Sequence, residues 1–377
     1  MTAASDLIIF WTIVSLRILI PLTIPRYPLP GIIASLVLDA IDQTLFQSLT
    51  NFQLDGYQGY DKALDIYYLA IAYIATLRNW SNQWAVRISR FLFYYRLVGV
   101  VLFELTQFRW LLLLFPNVFE YFFIFYEVVR LRWDPRRLSG AVLAGVAAAI
   151  WIVIKLPQEY WIHVAQLDVT DMVKQNLLGY PETADWGAIF SERAGLFILF
   201  FAGVALAIYF IWRWLRSKLP PADWALSFTP DAHLARIPEV DLRSTTRALA
   251  AHFLDRELFE KTALVSLLVI IFAQILPGIR SSNLELALAM TIVIVVNTVV
   301  SETLVRRGVA WPHALRQGLV MVAVNLPVML IVSLVRYGSI PLLALNNIVV
   351  FILLLSLIIT LYDRYRPIYL TRFSDGY

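Results

Sequence analysis

The chain of 377 residues contains no cysteine and only four histidines. Without cysteine it has no disulfide, no thiolate metal site and no cysteine nucleophile. The histidines are scattered and follow no metal-ligand spacing: His163, His233, His252 and His313. The chain also lacks a P-loop, a G-x-G-x-x-G motif and a G-x-S-x-G motif, so neither bound ATP nor an α/β-hydrolase nucleophile is indicated.

Charged residues are scarce too, at 15% of the chain, whereas soluble proteins have about 25%. Hydrophobic residues make up 60%, and the mean hydropathy is +0.70, which is typical of proteins in the lipid bilayer. The net charge is +4 and the isoelectric point is near 9.2. The basic residues lie in short loops between apolar runs, a pattern of membrane topology and not of nucleic-acid binding. No nucleic-acid partner is predicted, and the oligomeric state stays open.

Apolar stretches long enough to cross a bilayer recur along the chain. A helix needs about 20 mostly apolar residues for this, and that length predicts an all-α polytopic integral membrane protein with about eleven transmembrane helices. Pro116 is expected to bend the fifth of them near its start. The predicted spans are 7–24, 31–50, 61–79, 90–107, 110–129, 139–156, 194–215, 262–279, 284–302, 315–335 and 341–362.

Lysine and arginine are distributed unevenly between alternate loops. One set of loops holds about 17 of them and the other holds roughly seven, and the richer set belongs in the cytoplasm under the positive-inside rule. This assignment predicts a multi-pass protein of the cytoplasmic (inner) membrane. Its N-terminus is outside and its C-terminus is cytoplasmic.

The long loops divide the chain into four parts. Residues 1–137 form an N-terminal five-helix bundle with a buried charged cluster, and residues 138–216 form a linking helix pair with an extracytoplasmic loop at 157–193. Residues 217–261 are predicted to be a cytoplasmic amphipathic segment. Residues 262–377 form a C-terminal four-helix apolar bundle with a basic cytoplasmic tail.

Charged residues within the predicted spans are concentrated in the first five. With a rise of 1.5 Å per residue, four of them lie roughly 12–17 Å from an end of their helices, near the bilayer midplane: Arg17, Asp39, Asp42 and Glu120. An ionised side chain at that depth costs about 2.5–3.5 kcal/mol on insertion scales. These side chains are therefore predicted to face one another or water, and not lipid.

Helical spacing places several of these residues on shared faces. Asp39, Asp42 and Gln43 follow an i, i+3, i+4 pattern, and Asp61 and Asp65 are one turn apart on the third helix. The predicted site for an ion, a proton or a small-molecule substrate combines these faces with two arginine counter-ions. It comprises Arg17, Asp39, Asp42, Gln43, Asp65, Arg96, Glu104, Glu120 and Glu127.

The carboxylates of this site outnumber its arginines. Protonation of some carboxyls, a bound cation or an aqueous cavity would each resolve the imbalance. The first hypothesis is a proton- or cation-coupled transporter or channel, because intramembrane carboxylates paired with arginine serve such proteins. Mg²⁺ and monovalent cations are the candidate ions.

Two alternatives stay open. In the first, a D-x-x-D motif (Asp39, Asp42) and a D-x-x-x-D motif (Asp61, Asp65) hold Mg²⁺ in a membrane-embedded enzyme that acts on a lipid or isoprenoid diphosphate. Two-aspartate patterns are weak signals. In the second, the buried charges fix helix register in a structural subunit of a membrane complex.

Overall fold

The computed structural model describes residues 3–50, 57–165, 172–181, 184, 186–234, 256–275, 314–337 and 342–373. Every regular element in these ranges is helical, which confirms the all-α class. The longer helices and the short α5 and α8 are α1 Ala3–Leu19, α2 Pro28–Leu49, α3 Tyr57–Asn79, α4 Gln83–Thr106, α5 Trp110–Leu114, α6 Val118–Arg130, α7 Gly140–Val164, α8 Trp186–Glu192, α9 Ala194–Lys218, α10 Arg256–Ile275, α11 Ala314–Tyr337 and α12 Leu342–Phe373.

Five helical stretches among the described residues are long and apolar enough to cross a membrane. They are Ser5–Thr23, Trp110–Arg130, Gly140–Val164, Ala194–Lys218 and Asn347–Phe373. Length and composition therefore support a helical membrane protein. The predicted span 284–302 and residues 235–255 of the predicted amphipathic segment lie outside the described residues.

Several helices extend beyond the apolar runs that predicted them. The helix α7 continues to Val164, inside the predicted loop, while α10 begins at Arg256 and α12 ends at Phe373. The apolar criterion ends a span at its first charged residues. The helices α10 and α12 continue because charged residues at their ends pair with each other, as Lys261 does with Asp363 and Glu260 does with Arg366. At the end of α7, Glu159 pairs with His163 of the same helix.

Prolines shape two of the helices near the site. The chain breaks between α5 and α6 at Phe115–Asn117, where Pro116 was predicted to bend it. In α7 the stretches Ile150–Lys155 and Tyr160–Val164 are π-helical, and Leu156 N–H donates to the Trp151 carbonyl five residues back. Pro157 lacks an N–H and cannot continue an α-helical ladder, which accounts for the wider turns around it.

The helix α3 lies at the centre of the molecule. It packs against α1, α2, α4, α10 and α12, and its side chains from Ala63 to Leu77 are almost all buried. Small residues such as Ala70 and Ala72 let the neighbouring helices approach closely. In contrast, α9 is exposed along its whole length. Charged residues on the helices that pack against α3 are therefore brought close to one another.

Candidate functional site

One arginine binds four aspartates that belong to two helices. Arg17, near the end of α1, donates from Nη2 to Asp39 and Asp65 at 2.5 Å each, and from Nη1 to Asp61 at 2.5 Å. Nη1 also donates to Asp42. Asp39 and Asp42 lie on α2, and Asp61 and Asp65 lie on α3. We call these five residues the Arg17 centre.

The Arg17 centre is buried on one side and partly exposed on the other. The side chains of Arg17 and Asp42 are 3% and 2% exposed, whereas those of Asp39, Asp61 and Asp65 are 28%, 39% and 37% exposed. The arginine and one aspartate are thus fixed inside the bundle. The other three carboxylates remain accessible to an ion or to water.

The local sequence explains why the four aspartates meet at Arg17. The spacing of Asp39 and Asp42 puts both carboxylates on the face of α2 that meets α1. Tyr67 O–H donates to the Ile18 carbonyl at 3.1 Å, which holds the end of α1 against α3 beside Arg17. The i, i+4 spacing of Asp61 and Asp65 then aims both carboxylates at the same guanidinium.

The centre carries more negative than positive charge. Four carboxylates share one guanidinium, so three negative charges remain if all are ionised. Oxygen atoms of Asp39, Asp61 and Asp65 lie within 4.8 Å of one another, an arrangement that can hold a cation. Carboxylate oxygens are ligands suited to Mg²⁺ and other hard cations. Protons on the carboxyls would relieve the same repulsion.

Glu120 lies next to this centre on α6 and is 6% exposed. It accepts hydrogen bonds from Tyr68 O–H at 2.6 Å and from Asn117 Nδ2 at 3.0 Å. Tyr68 is on the same face of α3 as Asp65, and Glu120 interacts electrostatically with Asp39. The structure therefore brings Glu120 to the edge of the Arg17 centre.

Other predicted site residues lie elsewhere. Arg96 donates to the Phe115 carbonyl at 2.9 Å, and no carboxylate of the described residues is within ion-pair distance of it. Glu104 is 3.5 Å from Lys62 Nζ. The side chain of Gln43 lies outside the described residues. Of the two arginines predicted as counter-ions, only Arg17 binds the aspartates.

Glu127 belongs to a separate buried pair. It is fully buried, accepts from Trp80 Nε1 at 2.7 Å and from Arg130 Nε at 2.7 Å, and forms an ion pair with Arg130. Its charge is balanced within its own helix. Glu127 was predicted to share the site because it lies seven residues from Glu120, but the two carboxylates have different partners.

Sequence reasoning missed a second charged cluster. Glu260 on α10 accepts from Tyr73 O–H and from Arg366 Nη1, and Arg90 Nε lies 3.3 Å from its carboxylate. Next to it, Lys261 Nζ donates to Asp363 at 2.8 Å. Tyr73, Arg90, Glu260 and Arg366 are called the Glu260 cluster. They join α3, α4, α10 and α12.

The Glu260 cluster was missed because its charged residues, Arg90, Glu260 and Arg366, lay at or beyond the ends of the predicted spans. The C-terminal four helices were predicted to form an apolar bundle. Two amides in this part of the chain bond between helices: Asn325 Nδ2 donates to Ser356 Oγ at 2.9 Å, and Asn347 accepts from Tyr60 O–H. Glu260 was assigned to the amphipathic segment and Arg366 to the cytoplasmic tail.

No protein family, curated protein or solved structure matches this chain. Any function therefore has to be argued from the geometry of its own residues.

Proposed function

We propose that the protein is a proton- or cation-coupled transporter or channel and that the Arg17 centre is its coupling site. The observation that carries the proposal is the grouping of four aspartates on one arginine, with three carboxylates within 4.8 Å of one another and partly exposed. A group with this charge surplus is stabilised when it gains a cation or protons. Binding and release of that charge is the step that a coupled carrier needs.

The proposal includes the predicted topology of about eleven spans in the cytoplasmic membrane. Because the chain has no cysteine, single cysteines can be introduced on each side of α9 without a background thiol. An impermeant maleimide added to intact cells should label Ser191→Cys and leave Ser217→Cys unlabelled until the cells are opened. The reverse labelling would contradict the orientation.

Cation binding by the purified full-length protein tests the coupling site. Na⁺, K⁺ and Mg²⁺ are titrated in turn by calorimetry in a weakly buffered detergent solution while released protons are recorded. We expect the wild type to bind at least one of these cations with proton release, and the Asp39→Asn/Asp65→Asn variant to lose both signals.

Glu127→Gln is the matched control, because it removes a buried carboxylate whose charge is already balanced by Arg130. Its titration should resemble the wild type. A wild-type protein that shows no cation binding and the same proton uptake on acidification as the double asparagine variant would contradict the coupling role.

One observation favours the enzyme as a second candidate. The D-x-x-D and D-x-x-x-D motifs meet in space, since Asp39 of the first motif lies with Asp61 and Asp65 of the second. An enzyme of this kind should bind inorganic diphosphate only when Mg²⁺ or Mn²⁺ is present, and Asp61→Asn should abolish that binding. Cation binding without any diphosphate binding would favour the transporter over the enzyme.

A further inference from the structure

A lysine lies buried in α7 without a hydrogen-bond acceptor among the described residues. Lys155 is 4% exposed, and no described carboxylate lies within ion-pair distance of it, although Glu120 and Glu159 are its electrostatic neighbours. Its ammonium lies 4.1 Å from the centroid of the Tyr121 ring. A buried ammonium is costly unless it is paired, so the three N–H groups of Lys155 are available to a bound group.

Three further unpaired polar atoms belong to residues that neighbour Lys155, Tyr121 or Glu159. Arg96 Nε, Asn117 Oδ1 and Gln158 Oε1 are buried and make no hydrogen bond to any described group. Arg96 interacts electrostatically with Lys155, and Gln158 lies beside Tyr121. Buried unpaired donors and acceptors are rare in folded proteins, so a group of them on neighbouring residues can serve a polar ligand or water.

Two backbone features place these groups together. The π-helical turn before Leu156 widens α7 at Lys155, and such turns are frequent at functional sites. On α4, a Cβ at Gly99 would lie 2.1 Å from Phe115 Cβ, so only glycine allows this approach. The approach puts the Phe115 carbonyl within reach of Arg96 Nη1, which fixes the guanidinium while Nε makes no hydrogen bond to a described group.

The charges around Lys155 limit the ligand. Lys155 and Arg96 balance Glu120 and Glu159, and the latter is 3.0 Å from His163 Nε2. A dianionic phosphate would meet two carboxylates here, whereas a single carboxylate suits one ammonium and one guanidinium N–H. The amide oxygens of Asn117 and Gln158 would accept from a hydroxyl or ammonium group on the same molecule.

We propose that Lys155 and Arg96 form a binding site for a small carboxylic acid that also carries a hydrogen-bond donor, such as a hydroxy acid or an amino acid. This inference rests on the proposed function and names the substrate class of that transporter. Glu120 connects the two sites, because it accepts from Tyr68 on the side of the Arg17 centre and interacts with Lys155 on the other side. The cation bound at the Arg17 centre offsets the charge that the carboxylate brings.

Equilibrium dialysis of the purified full-length protein tests this site with radiolabelled lactate and alanine, and with acetate as the analogue that lacks the donor. We expect lactate or alanine to bind more tightly than acetate. Lys155→Met should weaken that binding by at least about tenfold, the scale of a lost charge-assisted hydrogen bond. The control Lys62→Met removes an exposed lysine and should bind as the wild type does.

A second variant distinguishes a loss of binding from a loss of folding. Arg96→Lys keeps the positive charge but removes Nε, so it should weaken binding while thermal unfolding stays close to that of the wild type. Binding of none of the three acids by the wild type, or equal binding by the wild type and Lys155→Met, would overturn the proposal and leave water as the occupant.

Failure of this site can be told apart from failure of the proposed function. If both hold, Lys155→Met keeps the cation-binding signal, and Asp39→Asn/Asp65→Asn keeps acid binding but loses its enhancement by the cation. Cation binding without acid binding overturns only the Lys155 site. Acid binding that is unaffected by any cation supports the site and contradicts the coupling.

Discussion

The Arg17 centre and the Glu260 cluster are both built on α3, but their charges are unbalanced in opposite directions. In the first, one arginine holds four aspartates. In the second, one glutamate lies between Arg90 and Arg366. The first is partly exposed through three of its carboxylates. In the second, Glu260 and Arg366 are only 12% and 6% exposed.

The two groups therefore show two roles of buried charged residues, one in stability and one in ion binding. The scarce partner in each group satisfies several opposite charges at once, so its loss leaves them uncompensated. The residues in surplus have a different role. Each of them can change its ionisation or its partner while the other charges of the group keep theirs. Stability should therefore depend most on Arg17 and Glu260, and ion binding should depend on the surplus aspartates.

The largest effect is expected for Arg17→Met. The substitution leaves four carboxylates without a counter-charge, and removal of one partner from a buried ion pair costs about 3–5 kcal/mol. Thermal or denaturant unfolding of the protein in detergent, together with its yield in the membrane, measures this loss.

The charge argument also predicts a partial rescue. Adding Asp42→Asn to Arg17→Met removes the most buried of the four carboxylates and should recover part of the lost stability. If the double variant were no more stable than Arg17→Met, lost packing and not charge would be responsible.

A smaller loss is expected for Glu260→Gln. The amide keeps one acceptor oxygen but no charge, so Arg90 and Arg366 lose their common partner. A hydrogen bond to a charged group contributes about 1.5–3 kcal/mol, and the unfolding free energy should fall by that order. Hydrogen exchange should locate the loss at the contact of α10 and α12 with α3 and α4. Loosening at α1 and α2 instead would contradict the division into two groups.

Among the surplus groups, Asp61→Asn should have little effect on stability. Asp61 is 39% exposed, and its removal lowers the repulsion among the remaining carboxylates. We expect the unfolding free energy to change by no more than about 0.5 kcal/mol, in the stabilising direction. The same variant should weaken cation binding in calorimetry. A loss as large as that for Arg17→Met would show that Asp61 is structural.

The aspartates could be predicted from the sequence because they interrupt apolar runs and repeat at helical spacing. Asp39 and Asp42 stand out in an otherwise apolar stretch, and their cost in lipid requires partners. Arg17 could be assigned to them for the same reason. The polar groups at the ends of apolar runs could not be placed, because an apolar window stops at the first charged residues. Glu260 and Arg366 were excluded from the bundle on that ground.

Pairing between helices was harder to predict than depth. Arg96 has a depth that suits a counter-ion, but Gly99 brings the Phe115 carbonyl close enough to bind its guanidinium instead. Lys155 lies near the end of a predicted span, where a lysine commonly extends its ammonium to the interface. In the structure α7 continues to Val164, so Lys155 lies within the helix and its side chain is buried.

The smallest effect concerns a partly buried histidine close to Arg130. His233 stacks on Trp224, with ring centroids 4.3 Å apart, and Trp224 Nε1 donates to the Arg130 carbonyl at 3.1 Å. Burial, and then the nearby Arg130 charge, lower the pKa of His233 from its ordinary value of 6.5. The docked loop therefore favours neutral His233.

The sign of the pH dependence follows from that lowered pKa. Docking of residues 219–234 is unaffected by this group above the ordinary pKa of about 6.5, and it weakens as pH falls below that value toward the lowered pKa, because the undocked loop binds the proton more readily. Hydrogen exchange of the loop, corrected for intrinsic rates, should rise modestly on acidification in the wild type and not in His233→Gln. Asp231 and Asp223 anchor the same loop to Arg78 and Arg137, so an equal rise in both proteins would assign the effect to those carboxylates. A rise confined to the wild type would show that burial and the nearby Arg130 charge keep His233 neutral in the docked loop.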